Sequence, residues 1–142
     1  THQECTRRAI LSIDRQSFIE GWRKAVNALK AAIDFLRGYG VSVSRILPYN
    51  AIVVPIGYYF HLHPHSPAGD QLHLLEDFFW RVGLGFRYSS GLESKLGNDL
   101  RKIEKIANGI QPHYEWAIDI DPESIIKNGW FATGRSYIKA IL

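Results

Sequence analysis

The chain has a single cysteine, Cys5, among its 142 residues. An internal disulfide is therefore impossible, which excludes a small secreted fold held by staples and fits a reducing, cytoplasmic compartment. No apolar run reaches the roughly 18–20 residues of a membrane-spanning helix. The first residues show no basic stretch followed by a hydrophobic signal core, so no membrane partner is expected. Catalytic signatures are missing as well. No GxGxxG or Walker pattern follows a strand, and Ser17, Ser89, Ser90 and Ser136 have no nucleophile elbow around them. Among Glu76, Asp77, Glu93, Asp99 and Glu104, nothing separates a general acid from a general base. Cys5 has only His2 nearby in sequence, which is thin support for a thiol centre. Charge of one sign is scarce: 17 basic and 14 acidic residues leave a formal +3, ordinary for a globular protein.

What is present is aromatic and amphipathic. Four Trp, seven Tyr and seven Phe supply surface that favours burial over disorder, and the length suits one domain with its own core. Residues 1–14 read as a tail or linker from a preceding domain. Residues 15–142 read as a helical domain truncated at its C-terminus.

The clearest helix spans about residues 17–37. Phe18, Trp22, Val26, Leu29, Ile33 and Leu36 recur at steps of three and four, which makes one apolar stripe. Ser17 suits the N-cap with Glu20 at the capping-box position, and Gly38 and Gly40 end the helix. Pro48 to Phe60 is expected as a buried helix broken near Pro55, although Ala51-Ile52-Val53-Val54 also has strand propensity. His61 to Gly69 is a loop, and Asp70 caps a helix carrying Leu72, Leu75, Phe78, Phe79 and Val82. Core packing is the plainer reading of Phe78, Phe79 and Trp80. Ser90 and Glu93 announce a further helix with Leu92, Leu96, Leu100, Ile103 and Ile106, ended by Asn108-Gly109. A short helix from Asp121-Pro122 and a last one over residues 136–142 complete the pattern. The fold class is all-α, an irregular domain of five to six helices with room for a minor strand near residues 114–120.

Two clusters invite a functional reading. His61, His63 and His65 alternate through one loop, and imidazoles suit zinc, nickel or copper, with Asp70 or Glu76 to complete a set. The series matches no defined metal motif, and an exposed polar loop explains it equally well. Arg87, Tyr88 and Ser90 stand at a helix N-terminus, which favours an anion. Arg87 suits bidentate phosphate contact and Tyr88 suits stacking on a base. Lys95, Arg101 and Lys102 add positive charge along the next helix, with Asp99 and Glu104 interrupting it. The alternative is an ordinary helix junction with a solvated charged face. No cofactor is expected.

Arg45-Ile46-Leu47-Pro48-Tyr49, Phe79-Trp80, Arg87-Tyr88-Ser89 and Asp99-Leu100 follow a helix spanning Phe18 to Leu36. This layout resembles the helical region downstream of the ParB/sulfiredoxin-like domain in GmrSD-type restriction proteins, and the likeness covers residues 15 to 142. The resemblance implies a non-catalytic scaffold or accessory domain of a larger defence protein, which would be a nucleotide-dependent nuclease. That family's nucleotide-processing and nuclease motifs fall in flanking domains, and neither occurs in this chain. The partners it implies are flanking domains of the same polypeptide, with DNA or a second copy as further candidates. A nucleic-acid-binding module and a metal-dependent enzyme using the histidine loop are the alternative functions.

Overall fold

The computed structural model describes residues 7–40 and 47–118. Among these residues every regular element is helical. A one-turn α1 (Arg7–Leu11) lies within the stretch expected as a tail. The long α2 (Arg15–Gly38) follows, and a 3-10 turn (Asn50–Ile52) leads into α3 (Val53–Leu62). Then come α4 (Asp70–Leu84) and α5 (Leu92–Ala107). Four helices reach ten residues or more, slightly fewer than expected. The minor strand near 114–120 does not form over residues 114–118, where no second strand lies alongside to complete a ladder. Residues 119–120, the helix from Asp121-Pro122 and the helix over 136–142 lie outside the described residues.

Local chemistry sets the helix ends. Asp14 is extended (φ −69°, ψ 154°), and its Oδ1 accepts the Ser17 N–H at 3.0 Å. Asp14 is therefore the cap, and Ser17 is the third helical residue whose orphan donor is satisfied. Hydrogen bonds from Ser17 hold the Asp14 carboxyl below its ordinary pKa. The break expected near Pro55 falls earlier, where the 3-10 turn passes into α3. Pro55 occupies the first turn, where a missing N–H costs nothing. Gly69 (φ +55°) and Gly91 (φ +60°) take the cap positions expected for Asp70 and Ser90, with no side-chain cap at either. At the end of α5 the expectation holds. Gly109 (φ +70°) donates to Ile106 O at 2.9 Å and Ile110 donates to Lys105 O at 2.9 Å, the paired bonds of a Schellman stop.

α3 is the hub, packed between α2 and α5, with α4 against α5. It is apolar nearly all round, as a central helix must be, and buries Pro55, Ile56, Gly57, Tyr59 and Phe60. Leu75, Phe78, Phe79 and Val82 of α4 join Leu96, Ile103 and Ile106 of α5 in the same core. Polar ties lock the hub. Tyr58 donates to Glu104 at 2.9 Å, Tyr59 to Gln71 at 3.3 Å, and Gln71 to Ala107 O at 2.7 Å. Tyr39, past the end of α2, donates to Glu76 of α4. Burial, and then this bond, push the Tyr39 phenol up to about 12.

The α2 stripe coincides with the face that α2 buries only at Leu36. Ala28, Ala32 and Leu36 are buried, while Phe18, Trp22, Leu29 and Ile33 remain exposed. Small side chains decide the matter, because two alanines let α2 settle closely on α3. A Cβ placed on Gly57 would lie 3.1 Å from Leu29 Cδ2. The first half of α2, residues 15–25, has no buried residue at all.

Candidate functional site

The densest chemistry lies where the chain turns from α4 into α5. Gly85 ends α4, and Phe86 then takes a positive φ of 52°, a conformation that costs a bulky side chain roughly 1 kcal/mol or more. The Arg87 N–H returns to Val82 O at 3.3 Å, and its side chain turns inward. Asp99, fully buried on α5, accepts both arms of the fork, Nε at 3.1 Å and Nη2 at 2.9 Å. Lys102 lies one turn along, 3.5 Å from the same carboxylate, and donates to Glu115 at 2.8 Å. Lys95 Nζ donates to Arg87 O at 2.9 Å. Two cations and two carboxylates thus neutralise one another, and the side chains of Arg87 and Lys102 are only 10% and 7% exposed.

The segment after α5 roofs this cluster. Trp116 lays its ring 4.2 Å from the Arg87 guanidinium carbon and 5.5 Å from Lys102 Nζ, in the range of cation–π attraction. Its Nε1 donates to Arg81 O at 3.1 Å. Tyr114 meets Trp116 edge-on at 5.1 Å and receives Arg81 at 4.7 Å over its ring. Asp77 grips Arg81 through two contacts of 2.9 and 2.8 Å. Burial raises the Tyr114 phenol above its ordinary value, and the negative charge of Asp77 adds to the effect. Burial alone would raise Glu115 too, but the hydrogen bond from Lys102 and the charges of Lys102 and Arg87 outweigh it and hold the carboxyl below its ordinary value.

Arg87 and Lys102 face Asp99 and Glu115, and Lys95 meets a backbone carbonyl, while half of the Glu115 side chain stays exposed. The chemistry of the cluster is that of a fastener joining the α4–α5 turn, the middle of α5 and the following segment. The residues expected to bind an anion divide accordingly. Arg87, Lys95 and Lys102 come together, but around internal partners. Tyr88 is buried with its ring edge-on to Tyr49 at 6.0 Å. Ser90 and Arg101 are exposed, and Arg101 donates to Asn98 at 2.9 Å. The six residues do not share one exposed basic face.

The histidines are placed just as plainly. His61 lies in the last turn of α3, stacked on Tyr58 at 6.3 Å, and His63 follows the helix, stacked on Tyr59 at 5.8 Å. His65 is exposed in the loop. Among the described residues, no three His, Cys, Asp or Glu side chains are grouped to hold a metal ion. Between α2 and the end of α3 runs a cleft of about 400 Å³ lined by Lys24, Asn27, Ala31, Phe60, His61 and Pro64. It brings only two ionisable groups together.

Glu115 and Trp116 had no signal in the sequence, because they belong to no periodic element. Asp99 had one, as the acidic residue interrupting the basic run of α5. No helix among the described residues is long and apolar enough to cross a membrane. No protein-family model, curated protein or solved structure matches the chain.

Proposed function

We propose that this chain is a non-catalytic helical scaffold, an accessory domain of a larger GmrSD-like defence protein. The exposed apolar face of α2 carries this reading. Phe18, Ile19, Trp22, Leu29 and Ile33 are each more than two-fifths exposed, and a contiguous apolar patch of this kind marks an interaction surface. The one dense polar cluster supports the same reading, because its groups satisfy one another and hold the fold together. Catalysis needs a convergent group that faces substrate, and of Arg87, Asp99, Lys102 and Glu115 only Glu115 is open to solvent, with its carboxylate engaged by Lys102.

Amide exchange tests the proposal. Amides and side chains of residues 18–33 should be protected in the full-length natural protein relative to this chain alone. Trp22→Glu should abolish that protection and leave the helical signal of the isolated chain unchanged. Nuclease or nucleotide-hydrolysing activity in the isolated chain, or an α2 face equally open in both contexts, would refute the scaffold assignment.

A further inference from the structure

α2 has two apolar arcs, and the described residues of the body cover only one. Ala28, Ala32 and Leu36 face α3. On the adjoining arc, Ile19, Trp22, Val26, Leu29 and Ile33 follow one another at steps of three, four, three and four. At about 100° per residue they fall within an arc roughly 80° wide. That is the width and rhythm of a coiled-coil seam, with β-branched Ile19, Val26 and Ile33 alternating with Trp22 and Leu29. Trp22 is 56% exposed and Ile19 53%, so among the described residues the seam stands open over the first half of α2, while Leu29 further along meets α3 at Gly57.

Charge beside the seam says what fits it. Arg23, Lys30 and Arg37 recur at intervals of seven on its open flank, and all three are exposed. They hold the positions from which a coiled coil selects its mate by charge. The other flank carries Ala25 and Ala32 and leads into the folded body. Asp34 lies 3.4 Å from Arg37 in an exposed pair, too solvated to neutralise a row of three cations. Residues 7–38 hold seven Lys or Arg against three Asp or Glu, so this stretch alone exceeds the formal +3 of the whole chain.

We infer that the α2 seam docks an amphipathic helix whose apolar stripe is flanked by acidic residues at seven-residue spacing. The inference rests on the scaffold reading and names the chemistry of the partner. A second copy of the chain would set like cations against one another across an antiparallel pair. A lipid surface calls for a broad apolar sector, whereas this seam is narrow and, from Ala28 onward, bounded on one side by α3. Nucleic acid offers phosphates to the cations and bases to the indole, but nothing to the aliphatic row of Ile19, Val26, Leu29 and Ile33.

Two labelled synthetic helices with the same Leu/Ile stripe test this, one with Glu and the other with Lys at its flanking heptad positions. Anisotropy with the full chain should show the Glu helix binding about tenfold tighter at low salt, a gap that narrows as salt is added. The triple reversal Arg23→Glu, Lys30→Glu, Arg37→Glu should invert the preference. Trp22→Glu should abolish binding of both helices without changing the circular dichroism or the thermal midpoint. Binding that survives Trp22→Glu, or failure of both helices to bind, would overturn the inference. So would tighter binding of phosphatidylserine vesicles or duplex DNA than of the Glu helix, or self-association of the chain that Trp22→Glu removes. Equal affinity for the two helices, lost in Trp22→Glu, would overturn the acidic partner but leave the scaffold reading intact. An α2 face that stays open in the full-length protein sinks that reading instead.

Discussion

Asp99 shows how one buried carboxylate can govern a junction between helices. It receives two bonds from Arg87 and lies beside Lys102, so its removal would strand the Arg87 guanidinium with little water to solvate it and leave Lys102 on Glu115 alone. Asp99→Ala should cost roughly 3–5 kcal/mol, the usual result of breaking a buried pair, as urea denaturation would measure. A loss under 1 kcal/mol would mean that the cluster is not fastening the fold. Gly85 makes a sharper test of the roof. Its φ of −86° is within reach of alanine, but a Cβ there would lie 2.5 Å from Trp116 Cδ1 and 2.7 Å from Arg81 O. Gly85→Ala should therefore destabilise by roughly 1–3 kcal/mol through overpacking, with Trp116 emission shifted to the red. Glu115 adds a dependence on pH. Its folded-state pKa is lowered from 4.5, so the stability it supplies is complete above that value and fades as the pH falls through the lowered one. Half of its side chain is exposed, so the contribution is modest. Between about pH 5 and pH 3 the thermal midpoint of the natural chain should fall further than that of Glu115→Gln. Parallel curves would remove Glu115 from the ion-pair account.

Among the elements, α2 and α5 were legible because each repeats apolar residues at helical spacing for several turns. The Asn108-Gly109 stop was legible because a left-handed residue there requires a particular chemistry. Capping was harder to read. Asp14 rather than Ser17 opens α2, and Gly91 rather than Ser90 opens α5, since neighbouring residues compete for one position and tertiary packing decides the frame. The stripe of α2 is visible in the sequence, but only its Leu36 reaches the core. Periodicity shows that a face is apolar without showing what covers it, and Ala28 and Ala32 won the contact with α3 because they permit close approach. At the site, the sequence offers Arg87 either an external anion or, in an ordinary helix junction, solvent or an acid, and an acid is what the structure supplies to it and to Lys102. Their true counter-ions lie 12 and 13 residues away at Asp99 and Glu115, a pairing that no local pattern encodes. The cap can be checked directly. Asp14→Ala should lower stability by about 1 kcal/mol, and an unchanged unfolding midpoint would mean that the first turn of α2 contributes nothing to the global transition.

At the scale of the whole molecule, stability is spread unevenly along the chain. The hub formed by α3, α4 and α5 holds fully buried Ile56, Tyr59, Leu75, Phe78, Ile103 and Ile106, tied by the Tyr58–Glu104 and Tyr59–Gln71–Ala107 bonds. The first half of α2 has no such anchorage and rests on its own hydrogen bonds and the Asp14 cap, with Phe18 and Trp22 in an exposed, tilted contact at 5.3 Å. An isolated helix of that length is marginal in water, so it should open locally while the hub remains closed. Native-state hydrogen exchange should find amides of residues 18–25 exchanging by local opening that is insensitive to low denaturant. Amides of residues 57–62 and 103–107 should exchange only through global unfolding. Addition of a helix that occupies the α2 seam should raise the first group towards the second and leave the hub in its place. If residues 18–25 were as protected as the hub in the isolated chain, α2 would already be fully coupled to the core. The apolar seam would then have to be explained without a docking partner.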